Sequence, residues 1–187
     1  MIRGIYSWKI SAYRKEKGFT INKDNPLTLL PFGLPGSIYR SALPGSPLFD
    51  PTCQLFSAFK ETGVNVVVML TPDEEAFRLT GIDLRQYYRE FGFRVIYAPI
   101  DDFSVPPPGA LHAPVRAILE AAQQGKTVVI HCHAGLGRTG MLAACLAKAV
   151  FGMDADQALA WVHRSIRHAV ETGEQMDYIR SFNWDEE

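Results

Sequence analysis

The sequence predicts an α/β domain with a central, mostly parallel sheet of about four to five strands flanked by helices. Three observations predict it. Short apolar runs rich in branched residues recur at Val64 to Leu70, Phe93 to Ala98 and Thr127 to His131. Segments with helical spacing lie between and after them. Gly and Pro mark the joints. An apolar run of this length is a strand covered on both faces rather than a helix. A helix between two such strands supplies the crossover that parallel neighbours need.

The elements follow in order. Residues 1–23 carry Arg3, Lys9, Arg14, Lys15, Lys17 and Lys23 against one acid, Glu16. Residues 1–36 therefore read as a basic N-terminal arm. Tyr6, Trp8, Ile10 and Tyr13 suggest that it packs on the domain of residues 37–187. The arm's charge also suits a weak contact with an acidic surface. Pro31 to Pro35 is a connector, and Ser37 to Arg40 a short strand. Asp50 and Pro51 give a helix cap followed by proline in the first turn, with Leu55, Phe56 and Phe59 as the apolar face and Gly63 as the stop. Val64 to Leu70 is the next strand, ended by Pro72. Asp83 to Phe91 reads as a helix closed by Gly92, and Phe93 to Ala98 as a strand.

Asp101 to Gly109 holds three successive prolines and is a loop. Leu111, Val115, Ile118, Leu119 and Ala122 recur at helical spacing up to Gly125. After the strand Thr127 to His131 and a glycine-rich turn, Leu142, Cys145, Leu146, Ala149 and Val150 mark another helix. Asp154 caps a further one bearing Ala158, Leu159, Val162 and Ile166, and Glu174 to Phe182 reads as the last.

Composition narrows the function. A formal net charge of −1 gives the chain as a whole no electrostatic commitment to nucleic acid. No apolar run approaches the length of a membrane span, and the first residues lack the apolar block of a signal peptide. A cytoplasmic protein is the expectation. Three cysteines, Cys53, Cys132 and Cys145, have no spacing that suggests a disulfide framework or a zinc site. No metal and no cofactor are expected.

The chemistry concentrates in Val128-Val129-Ile130-His131-Cys132-His133-Ala134-Gly135-Leu136-Gly137-Arg138-Thr139-Gly140. A buried strand enters a glycine-rich loop and a helix follows. Glycines let successive N–H groups turn inward on a small anion, and the helix N-terminus adds donors and partial positive charge. The segment His133, Ala134, Gly135, Leu136, Gly137 and Arg138 therefore reads as a phosphate-binding loop. A thiol at its mouth, Cys132, ionises readily, because such surroundings lower cysteine pKa from about 8.5 to roughly 3.5–7.5. Arg138 offers a planar fork to two phosphate oxygens. The Thr139 hydroxyl can stabilise the sulfur as a leaving group.

His131-Cys132-x-x-Gly135-x-x-Arg138-Thr139-Gly140 resembles the signature loop of the protein tyrosine phosphatase superfamily. It is most similar to dual-specificity, kinase-associated and cell-division-cycle phosphatases. The resemblance covers Ser37 to Phe182, strongly at the loop and weakly elsewhere. It implies a cysteine-phosphatase fold and a phosphocysteine intermediate. It also implies a general acid on the loop Pro99-Ile100-Asp101-Asp102-x-x-x-Pro106, where Asp102 aligns with the donor and Asp101 is the alternative. Gln175 matches a glutamine that orients water in several members, although a polar residue at an exposed helix start would look the same. Arg167 resembles an arginine placed behind the catalytic loop, followed here by His168 where proline is common. His131 is expected to bond loop carbonyls, Arg40 to be structural, and Cys53 and Cys145 to be core cysteines.

A sulfurtransferase of the rhodanese type also keeps a cysteine in an anion-cradling loop, but Arg138-Thr139 and an upstream acid suit phosphate better. The loop interior has no lysine, whereas members acting on inositol lipids tend to carry lysines there. A phosphorylated protein or small phosphomonoester is thus the expected substrate. Phosphotyrosine, and phosphoserine or phosphothreonine with it, comes first. An inositol phosphate or phosphoinositide phosphatase is the alternative, and a non-catalytic phosphate-binding module is an alternative of another class.

Overall fold

The computed structural model describes residues 26–184. The basic residues Arg3 to Lys23 lie outside them. Five strands form one sheet in the order β1-β2-β5-β3-β4. They are β1 (Thr28–Leu30), β2 (Ile38–Ser41), β3 (Val66–Met69), β4 (Arg94–Tyr97) and β5 (Val128–His131). All neighbours run parallel except β1 and β2, which pair antiparallel with Thr28 opposite Arg40. The mostly parallel α/β architecture read from the sequence is therefore present. β3 and β5 are buried at every position, as valine-rich central strands are.

β1 falls inside the stretch read as an arm. Leu27, Leu30 and Phe32 enter the core, and Phe32 packs on Trp161 at a centroid distance of 4.6 Å. Thr28–Leu30 is too short for its alternation to stand out, and pairing with β2 makes the strand.

The described helices are α1 (Gln54–Glu61), α2 (Asp73–Thr80), α3 (Leu84–Glu90), α4 (His112–Gln123), α5 (Gly137–Phe151), α6 (Ala155–Ser165) and α7 (Gly173–Ser181). α1 starts later than Asp50-Pro51 suggests. The Asp50 carboxylate still serves its N-terminus, accepting from Gln54 N and Gly45 N at 2.9 Å each. Cys53 holds the left-handed cap position and is exposed, so it is not a core cysteine. Cys145 is buried in α5, and burial pushes its thiol up to about 12.

α2 is absent from the sequence reading, which ended the strand at Pro72 and resumed at Asp83. The signals were there. Pro72 sits at the cap position, and Asp73, Glu74 and Glu75 fill a first turn where acids favour the helix dipole. Only Ala76 of this helix is buried, so the apolar period that identifies most helices is missing.

α6 opens with a capping box in which Asp154 and Gln157 satisfy each other's backbone N–H. α5 is buried at every residue from Gly137 to Ala147 and packs against α4, α6 and α7. Its N-terminus follows directly on the loop after β5. This strand–loop–helix unit fixes the functional site at the carboxyl end of the sheet, where open parallel sheets bind ligands.

Candidate active site

β5 delivers Cys132 to the carboxyl edge of the sheet, and α5 begins five residues on at Gly137. One close approach forces glycine into the loop between them, and a second crowds the first residue of α5. At Gly135, φ is +73° and a Cβ would lie 2.2 Å from the Ser41 carbonyl oxygen. At Gly137 a Cβ would lie 2.6 Å from a carboxylate oxygen of Glu171. The loop is also tied to the chain after β2, since Leu43 N donates to the His133 carbonyl at 2.9 Å.

Cys132 is 2% exposed and lies at the base of a pocket of about 190 Å³. Asp102, Arg138, His133, Ala134, Glu171 and Gln175 share its walls, with Leu48, Phe49 and Phe103 towards the apolar side. The structure thus brings together the cysteine, arginine and aspartate that lie far apart in the chain.

Arg138 is held on four of its donors' bonds. Nη1 donates to Glu75 at 2.8 Å and to the Ile100 carbonyl at 2.9 Å. Nη2 donates to Glu75 at 2.9 Å and to Asp102 at 2.9 Å. Burial works against its charge, but the Glu75 hydrogen bond, Cys132 and the nearby carboxylates outweigh that and raise its pKa. No sequence pattern points to Glu75, because the helix that carries it has a single buried residue.

Asp102, not Asp101, bonds Arg138 and lines the pocket. Asp101 instead faces the neighbouring grooves along α2. Thr139 is fully buried, and its hydroxyl has no hydrogen-bond partner among the described residues. His133 contacts the Ser46 hydroxyl through Nε2 at 3.3 Å and meets Phe49 edge-on at 4.9 Å. Burial lowers its pKa against the pull of Asp102 and Glu75.

His131 Nε2 meets the Tyr88 hydroxyl of α3 at 2.9 Å, and a hydrogen bond at the Cys132 backbone favours its charged form. Its place on β5 turns the ring towards α3, and burial pushes its pKa down to about 4. Arg167 does not sit behind the loop but is exposed. The backbone takes left-handed conformations at His168 and Val170, and Ala169 and Val170 press on α5 at Gly140 instead. Arg40 is the arginine behind the loop. Its Nη1 lies 3.1 Å from where a Cβ of Gly135 would be.

Gln175 is 1% exposed, not a polar residue at an exposed helix start. Its Oε1 accepts from Glu171 N at 2.9 Å, and its Nε2 donates to the Ser104 carbonyl at 3.4 Å. It therefore joins the acid-bearing loop to the turn before α7.

Glu75, Asp102 and His133 offer ligand atoms within 4.8 Å of one another. Both carboxylates already bond the Arg138 guanidinium, so a metal cation would have to displace that charge.

Residues 47–150 match the family described as "Polymorphic toxin system, DSP-PTPase phosphatase". The chain belongs to this phosphatase family. The matched span contains α1 to α5 but for the last residue, with Glu75, Asp102, Cys132 and Arg138 inside it. The chain is 37% identical over 108 residues to protein tyrosine phosphatase domain-containing protein 1 from Mus musculus, a match covering 58% of this chain and 13% of the mouse protein. It is thus similar to a small part of that longer relative. The solved structure of Tk-PTP in its active form is 28% identical and superposes with a TM-score of 0.69, covering 83% of this chain and 95% of that one. Kinase-associated phosphatase, solved with its catalytic cysteine replaced by serine, gives a TM-score of 0.76 at 20% identity over 83% and 92% of the two chains. The latter establishes the cysteine-phosphatase fold. No described helix is long and apolar enough to cross a membrane.

Proposed function

We propose that the protein hydrolyses phosphomonoesters of phosphoproteins, phosphotyrosine first and phosphoserine or phosphothreonine with it, through a phosphocysteine intermediate. One observation carries this: Cys132, Arg138 and Asp102 converge on one small pocket at a helix N-terminus.

The Cys132 thiolate attacks phosphorus and an S–P bond forms as the P–O bond to the substrate breaks. Arg138 and the loop N–H groups hold the equatorial oxygens, whose charge changes most in the transition state. Asp102 bonds Nη2 of Arg138. A phosphoryl oxygen that takes this donor releases the carboxyl group, which in its protonated form gives the leaving oxygen its proton. Water then attacks phosphorus, Asp102 accepts the water's proton, and the S–P bond breaks. The Thr139 hydroxyl, buried without a partner, is available to the departing sulfur.

Substrate choice follows from charge. The loop interior has no lysine, and the carboxylates of Asp102 and Glu171 line the pocket. Such walls disfavour a polyphosphorylated inositol more than an isolated phosphate ester on a peptide.

Acid-quenching the enzyme during turnover of a radiolabelled phosphotyrosyl peptide should leave label on Cys132. Cys132→Ser should bind the peptide without turning it over. Brisk hydrolysis with no labelled cysteine would refute the mechanism. Faster turnover of soluble inositol phosphates than of phosphopeptides would refute the substrate class.

A further inference from the structure

We propose that Arg40 is a second cation of the nucleophile's site, placed behind the catalytic loop to hold the Cys132 sulfur in its ionised form. This rests on the reading of Cys132 as the nucleophile and adds a positioning residue to it.

The geometry starts in the sheet. β2 lies beside β5, with Arg40 opposite Ile130 and Ser41 opposite His131. Arg40 is thus level with the residue two before Cys132. The Arg40 side chain reaches to Gly135, where Nη1 would stand 3.1 Å from an added Cβ. The Nε–H is buried and has no hydrogen-bond partner among the described residues.

A guanidinium is costly to desolvate without a counter-charge. No carboxylate is paired with Arg40 among the described ion pairs. Glu75 and Asp102 both bond Arg138. Burial lowers the Arg40 pKa, and the group that opposes this is Cys132. Arg138 approaches from α5, and His131 and His133 flank the sulfur in the chain, with burial lowering the pKa of both. Asp102 and Glu171 bring negative charge from the pocket lining, and Glu75 pairs with Arg138 beside it. Arg40 is not part of the pocket lining and supplies positive charge from beside Gly135, where substrate does not compete for it.

A role in holding the loop alone would predict an effect of Arg40 on shape and none on ionisation. Alkylation of Cys132 by iodoacetamide, read by mass spectrometry of the Cys132 peptide, separates the two because it needs no substrate. In Arg40→Met the rate at about pH 6 should fall roughly tenfold, while the rate near pH 9.5, where both proteins are ionised, stays within about twofold. Arg40→Lys keeps the charge and should recover most of the rate at the lower pH. Arg40→Gln serves in place of the methionine variant if that fails to fold. The proposal is overturned if the neutral variant alkylates like the parent protein at both pH values. It is equally overturned if the lysine variant is as slow as the neutral one, since the charge then does not matter. Slow alkylation in the parent protein itself at about pH 6 would instead sink the assignment of Cys132 as the nucleophile.

Discussion

Glu75 grips both Nη atoms of Arg138, at 2.8 and 2.9 Å, and fixes the plane of the guanidinium. The Arg138 side chain is 1% exposed and that of Glu75 10%, so the pair is held almost free of solvent. Arg138 must meet two phosphoryl oxygens in one plane, and α2 sets that plane. Glu75→Ala leaves a buried guanidinium short of its main partner, which should cost on the order of 3 kcal/mol in stability. A tilt of the fork should also lower kcat/KM for an aryl phosphate by about 100-fold. Glu75→Gln can restore only part of the geometry and should fall between the two. Denaturation midpoints and steady-state kinetics on the three proteins check this. An alanine variant with native kinetics would show that Arg138 is oriented by other groups.

The two adjacent aspartates make a sharper test. Asp102 is in the pocket and Asp101 is outside it. Asp102→Asn should slow the release of poor leaving groups by about 100-fold or more, and good ones far less, because only poor ones need a proton. Asp101→Asn should change neither by more than a few fold. A Brønsted plot of kcat/KM against leaving-group pKa for both variants reads this directly. Equal slopes in Asp102→Asn and the parent enzyme would place the acid elsewhere.

How far the sequence reveals such a site depends on where its residues lie. Cys132, Arg138 and Thr139 are legible because loop, strand and helix are contiguous, and glycine reports the backbone's close approach directly. Asp102 is legible only by resemblance. Glu75 sits on a helix with a single buried residue, so no periodicity betrays it. Arg40 and Tyr88 act across the sheet, through pairing of β2 with β5 and packing of α3, which local pattern does not encode. Arg167 shows the opposite failure. Its position in the chain resembles that of a supporting arginine, but left-handed backbone at His168 and Val170 carries the segment along another path.

His131 makes the fold sensitive to acid. Its ring is fully buried against Tyr88, and burial holds its pKa at about 4. The unfolded chain takes up this proton near pH 6.5, so between about 6.5 and 4 it binds more protons than the native state. Stability from this group is complete above about pH 6.5 and falls as the pH drops, by up to about 1.4 kcal/mol per unit. Urea unfolding at several pH values across that window should show a steeper loss in the parent protein than in His131→Asn. Identical slopes would mean that His131 titrates alike in both states.

In the proposed reaction, the second chemical step falls to Gln175 and Glu171. Both line the pocket, and the Gln175 amide ties Glu171 N to the Ser104 carbonyl of the acid loop. A water attacking the phosphocysteine needs an acceptor to hold it, and the Glu171 carboxylate, pressed against Gly137, offers one beside the loop. Glu171→Gln keeps the shape and removes the charge. With a good leaving group it should give a prompt burst of about one equivalent of phenol, followed by a steady rate about tenfold below the parent. Gln175→Leu loosens both ends of the bridge and should slow the burst as well, because the acid loop loses its tie. Rapid-quench kinetics distinguish the two patterns. A Glu171→Gln enzyme with no burst and an unchanged steady rate would show that Asp102 alone manages the water.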